Sequence, residues 1–143
     1  MFLGQFDHNI DEKGRLTIPA KFRGELAAGL VVTKAVDACL WLYPLDRWAE
    51  LAAKIDAQPL TDPSAREFRR QVYAGATDVV PDRQGRVILP PGLREYANID
   101  NQAVIIGLHD HCEIWNPDRW RERQQRSDDD PEGRAAMFQS LGI

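Results

Sequence analysis

Cysteine is scarce in this chain: Cys39 and Cys112 are the only two among 143 residues, and they form no CxxC pair. A disulfide scaffold is thereby excluded, and both thiols are expected to be reduced. Long apolar runs are missing as well. The longest, ACLWLY at 38–43 and AVIIGL at 103–108, are far too short to span a bilayer. The opening MFLGQFDHNIDEKGR reaches an acid by Asp7 and has no basic stretch ahead of an apolar one, so no secretory signal is expected and the chain is placed in the cytoplasm, away from membranes. Positive charge is in deficit too, with a formal net charge of -4. That balance argues against nucleic-acid binding on average, although local clusters decide where a phosphate backbone docks. Enzyme signatures are also lacking: there is no GxxxxGK[ST], no HExxH and no nucleophile elbow. No catalytic residue, cofactor or metal is therefore assigned. What remains is a folded composition, 43% hydrophobic and 28% charged, long enough for one domain or for two small ones sharing a core.

The dominant feature is a repeat. DEKGRLTIP begins at Asp11 and DRQGRVILP at Asp82, which pairs Asp11 with Asp82, Gly14 with Gly85, Arg15 with Arg86, Pro19 with Pro90, Phe22 with Leu93 and Arg23 with Arg94. With a small change of offset, VDACLWLYPLDRW matches LHDHCEIWNPDRW, setting Cys39 against Cys112, Leu42 against Trp115 and Trp48 against Trp120. Agreement in order, spacing and residue type over so much of each half marks a tandem duplication, with units expected at 1–75 and 76–143.

Each unit has the same grammar. A strand (4–10, 76–80) leads into a polar turn carrying the glycine, then a second strand (15–18, 86–89), which reads as a hairpin because glycine can take the positive φ of the turn. Proline ends that strand and opens a short helical segment. Another strand pair follows, LVVTKA with CLWLYP and AVIIGL with CEIWNP. A helix comes next in each unit, LDRWAELAAKIDA with Leu45, Trp48, Leu51, Ala52 and Ile55 on one face, and DRWRERQQR. Asp46 and Asp118 are candidate N-caps or first-turn acids. TDPSAREFRRQVYAG reads as a further helix starting at Thr61 or Asp62, with Phe68, Val72 and Tyr73 toward its buried side. Its counterpart DDPEGRAAMFQSLGI is weakened by Gly133, and RSDDDPEG reads as an exposed linker.

Two other features carry less. HDHC at 109–112 holds metal-ligand residue types, but a strand would place His109 and His111 on one face and Cys112 on the other, and no partner pair exists elsewhere. Both cysteines read as packing residues. The tryptophans read as packing rather than as base-stacking platforms.

The DxxxR turns remain. Asp11 and Asp82 can accept turn amides or pair with their own arginines, so that each motif merely shapes a turn. That accounts less well for the arginines, because a surface ion pair is worth little. Lys13, Arg15, Lys21 and Arg23 lie around the first turn, and Arg83, Arg86 and Arg94 around the second. Facing the same way, the two would make one basic surface with planar donors suited to phosphate and guanine.

DEKGRLTIPAKFR and DRQGRVILPPGLR, with LWLYP and YAGA, are specific enough that the chain resembles the MraZ family of the AbrB-type swapped-hairpin superfamily over essentially its whole length, with two SpoVT/AbrB-like domains. The resemblance implies an α+β, mainly β, fold in which duplicated hairpin units interdigitate into one pseudo-dimeric barrel with covering helices. It implies a homo-oligomeric ring, an octamer or a dodecamer, at the nucleoid. Such a ring would bind double-stranded DNA at repeated boxes ahead of a cell-division and cell-wall gene cluster and act as a repressor there. The resemblance places DNA contact on Arg15 and Arg86. It leaves turn shaping to Asp11, Gly14, Asp82 and Gly85; Lys13 and Arg83 join as phosphate contacts by position. A competing reading uses the same barrel as a protein-interaction or antitoxin-like module. The halves differ, since Lys13 aligns with Gln84 and Lys21 with Gly92, so unequal contributions are expected.

Overall fold

The computed structural model describes residues 1–143. The chain runs β1 (Phe2–Asn9), β2 (Arg15–Thr17), a 3-10 turn at Ala20–Phe22, α1 (Arg23–Leu26), β3 (Leu30–Lys34), β4 (Leu40–Pro44), α2 (Leu45–Asp56) and α3 (Pro63–Ala74). The second half repeats the order with β5 (Thr77–Val79), β6 (Arg86–Ile88), α4 (Pro91–Tyr96), β7 (Gln102–His109), β8 (Cys112–Trp115), α5 (Pro117–Asp128) and α6 (Pro131–Ser140). No helix is long and apolar enough to cross a membrane. The fold is α+β, with an antiparallel sheet in the order β1-β7-β8-β4-β3-β5 and a separate ribbon of β2 and β6.

The halves are interleaved. β1 pairs with β7, β2 with β6, β3 with β5 and β4 with β8, so only β3–β4 and β7–β8 are ladders within one half. The expected local hairpin of β1 with β2 is reduced to one bridge, Ile10 with Leu16. Each strand that leaves a DxxxR turn finds its partner in the other half, because β1 is long enough to ladder along all of β7 whereas β2 has three residues. One core results: Phe2, Leu16, Ile18, Phe22 and Leu42 from the first half pack with Val87, Leu89, Leu93, Ile105 and Ile114 from the second.

The strand registers correct the sequence alignment by one position. Leu40 lies opposite Ile114 and Leu42 opposite Cys112, and the pseudo-two-fold then makes Leu40 the counterpart of Cys112, not Cys39. The connection from β3 to β4 spans 35–39, whereas β7 turns into β8 through Asp110 and His111, after His109 at φ 76°. A shift of one residue reverses the face of every side chain. Cys112 is accordingly in the main core, while Cys39 lies in a second cluster with Ala35, Val104, Ile106 and Trp115. Both thiols are free and buried, and burial pushes Cys39 well above the ordinary range and Cys112 up to about 12.

The helices cover the outer face of the sheet unequally. α2 buries Ile55 and α3 buries Val72, whose carbonyl accepts a 2.5 Å hydrogen bond from the buried Thr33 hydroxyl on β3. Leu45 and Phe68, expected on buried faces, are 45% and 38% exposed. Asp62 caps α3 by accepting from the Ser64 N–H, and Asp46 and Asp118 are first-turn acids. In the second half Trp120 of α5 packs on Trp115, with Arg123 over the Trp115 ring. α5 extends through Asp128, so most of the expected linker is helical, and Asp130 restarts the chain as the cap of α6 by accepting from the Gly133 N–H. α6 buries none of its residues: Met137 and Phe138, and Leu141 just beyond it, are half exposed or more.

Candidate nucleic-acid interface

Residues 11–15 and 82–86 form two turns built alike. In the first, the Asp11 N–H donates to the Arg15 carbonyl at 3.1 Å and the Gly14 N–H to the Asp11 carbonyl at 2.9 Å. Asp11 Oδ1 accepts from the N–H groups of Lys13 and Arg15 at 3.0 and 2.9 Å. In the second, the same two backbone bonds measure 3.0 and 2.9 Å, and Asp82 Oδ1 accepts from Gln84 and Arg86 at 2.9 Å each. Gly14 and Gly85 sit at φ 77° and 73°, the left-handed region that a Cβ disfavours.

Each aspartate also holds its own arginine. Arg15 Nε donates to Asp11 Oδ2 at 2.6 Å, and Arg86 Nε to Asp82 Oδ2 at 2.9 Å. Only Nε makes a hydrogen bond in each fork, and Arg86 Nη1 adds an ion pair, so the terminal nitrogens of Arg15 and the Nη2 of Arg86 are left for another acceptor. The Arg15 backbone N–H, helped by the Arg15 guanidinium and the Lys13 N–H, holds the Asp11 carboxyl below the usual carboxylate range; Arg86 and Gln84 do the same for Asp82. Because the folded values are lowered, the stability these carboxylates lend is present above the ordinary carboxylate pKa of about 4 and is lost only as pH falls through the folded values.

The antiparallel β2–β6 ribbon carries one turn at each end. Arg15 stands opposite Ile88 and Thr17 opposite Arg86, and the ladder continues from the Ile18 N–H to Gly85 and from the Leu89 N–H to Gly14 at 2.8 and 2.9 Å. Arg86 Nη1 comes within 4.0 Å of Asp11 Oδ2, across the two-fold. Lys13 and Arg83 are exposed at the tips of their respective turns. The structure thus brings Arg15 and Arg86 onto one face of the ribbon, with Lys13 and Arg83 exposed toward its two ends.

Two arginines acquire a place that the sequence did not disclose. Arg23 Nε donates to the Ile18 carbonyl and Arg94 Nε to the Leu89 carbonyl, each at 3.0 Å. Each guanidinium then lies on the glycine of the opposite turn. A Cβ on Gly14 would come within 3.2 Å of the Arg94 guanidinium carbon, and one on Gly85 would collide with Arg23. Their repeat pairing was visible, but their contact with the other half depends on the interleaving. Gly85→Ala is expected to cost at least about 1–2 kcal/mol from the left-handed backbone alone, and more than Gly14→Ala because Arg23 must also move. Urea denaturation of the two variants side by side checks that order.

The family model described as "MraZ protein, putative antitoxin-like" matches residues 1–71 and again 72–140. The chain is 51% identical over 143 residues to a transcriptional regulator MraZ of Herpetosiphon aurantiacus, covering all of both chains. It is 52% identical over 120 residues, 84% of each chain, to one of Thermomicrobium roseum, and 46% identical over 143 residues, all of both chains, to one of Moorella thermoacetica.

Proposed function

The chain belongs to the MraZ family, and from that premise we propose that it is a DNA-binding transcriptional regulator whose β2–β6 ribbon carries the contact surface. The observation that carries this reading is the pair of DxxxR arginines on one face of the ribbon, each fork held at Nε by its own aspartate with terminal nitrogens left to bind. A fork fixed at one edge loses little freedom on binding and suits bidentate contact with guanine or phosphate. In this role Arg15 and Arg86 contact DNA, Lys13 and Arg83 neutralise flanking phosphates, and the aspartates and glycines shape the turns. The reading assigns the chain no catalytic step and places it in the cytoplasm at the nucleoid, as a repressor at repeated boxes ahead of a division and cell-wall gene cluster.

One ribbon is a small patch on an acidic protein, so useful affinity needs several chains on several boxes. Self-assembly into a ring supplies them, and the helices offer complementary surfaces. α3 is basic, with Arg66, Arg69 and Arg70 against Glu67, beside the exposed Phe68. The α5–α6 junction is acidic, with Asp128, Asp129, Asp130 and Glu132, and leads to the exposed Met137, Phe138 and Leu141. These surfaces belong to different halves, so a second copy would meet them head to tail, the arrangement that closes rings.

The test is titration of the full chain against duplexes from upstream of its own gene, bearing one or several copies of a repeated element, at low and high salt. Affinity should climb with copy number and fall with salt. Binding indifferent to copy number would sink the multivalent reading and favour the protein-interaction role that the family description's antitoxin-like wording suggests. In the same assay Arg15→Ala is expected to weaken binding more than Arg86→Ala, because Lys13 and Lys21 accompany the first turn where Gln84 and Gly92 stand in the second. The reverse order would refute that asymmetry.

A further inference from the structure

The β2–β6 ribbon has a closed face and an open one. Leu16, Ile18, Val87 and Leu89 are buried in the core, so strand alternation puts Arg15, Thr17, Arg86 and Ile88 on the other side. Three of these four are polar. Ile88 is not, yet it is 55% exposed, directly across from Arg15 and two residues along from Arg86. Its repeat counterpart is Thr17, so this position in the fold accepts a polar residue and core packing does not demand isoleucine. An exposed β-branched apolar side chain in the middle of an arginine patch instead fits a ligand with its own apolar feature at that point.

The major groove of B-DNA is about 12 Å wide and admits a two-stranded β-ribbon. Among the groups displayed by base edges there, the thymine 5-methyl is the apolar one. We infer that Ile88 is a specificity-determining residue that packs against a thymine methyl in the major groove, next to the bases or phosphates taken by Arg15 and Arg86. The inference rests on the proposed role of the ribbon as the DNA-contact surface and deepens it. It also breaks the symmetry of the site, because the arginines repeat across the two-fold while Ile88 faces Thr17 as its counterpart. One end of the ribbon then selects for a methyl group, and the other presents a hydroxyl.

The experiment crosses a protein change with a DNA change. The region upstream of the chain's own gene is amplified with either dTTP or dUTP, which removes the 5-methyl groups and leaves Watson–Crick pairing in place. Wild type, Ile88→Ala and R15A/R86A are titrated against both duplexes at one salt concentration, with thermal unfolding followed by circular dichroism to show that each variant is folded. Wild type should bind the uracil duplex roughly four-fold more weakly per engaged element, the effect of one methyl-sized burial. Ile88→Ala should bind both duplexes alike, while still binding more tightly than R15A/R86A. A wild type indifferent to the methyl groups, or an Ile88→Ala variant with the wild-type ratio between the two duplexes, would overturn the inference while leaving the arginine dependence standing. Undiminished binding by R15A/R86A would overturn the ribbon reading, and this inference with it.

Discussion

Replacing Arg15 and Arg86 together with alanine is expected to lower affinity for a multi-copy duplex by at least about 30-fold, taking about 1–3 kcal/mol for each of the two bidentate contacts. The loss should be larger than for a single-copy duplex, since several ribbons engage at once and every one is impaired. The salt dependence should flatten too, by about 0.9 in the logarithmic slope for each phosphate contact removed. Folding is not the reason for such a loss. Both side chains lie on the open face of the ribbon, and Asp11 and Asp82 keep their bonds to the turn amides without the guanidinium groups. Gel shift or fluorescence anisotropy, with a urea melt of the same preparation, separates the two effects. A variant that binds like wild type would show that the ion pairs of the turns are structural only.

Phe22→Ala is expected to have the largest effect on stability, a loss of about 3–5 kcal/mol. Phe22 is fully buried, and its ring meets Phe2 at 5.1 Å and Phe6 at 5.2 Å, both edge to face. Those two partners are on β1, the strand that crosses to the other half, so the cavity would open where the halves are joined. Against a typical total of about 5–15 kcal/mol, that loss is a large share of the stability and should move the denaturation midpoint well below that of the wild type. It should also unfold in one transition that takes both halves, because the core is common to them. Two separated transitions in chemical denaturation would contradict the shared core.

The turns were legible because their residue types prescribe backbone conformation. Gly14 and Gly85 at positive φ, Asp11 and Asp82 on the turn amides, and prolines at the starts of α3, α4, α5 and α6 are local statements that need no knowledge of what lies across the molecule. Partners were less legible. A three-residue strand such as β6 does not reveal which strand it will join, and so Ile88 could not be placed opposite Arg15 beforehand. The matching cysteines misled the alignment, because identity of residue type outweighed a one-residue difference in connection length that only the ladder exposes. Phe68 was placed on a buried face by periodicity, but α3 is anchored through Val72 and Tyr73, leaving that side partly open. The acidic run after Arg126 suggested a linker, whereas α5 continues to Asp128 and Asp130 restarts the helix as a cap.

Interleaving also governs what a ribosome can release. β1 is the first strand to emerge, yet its partner β7 ends at His109, so at about 5–20 residues per second the nascent strand waits on the order of ten seconds for its ladder. During that interval its edges are open to other chains. The ribbon is delayed in the same way, since β2 has no strand to pair with until Ile88 has been made. A chain interrupted before Ile88 therefore carries one DxxxR turn without the strand that pairs with it.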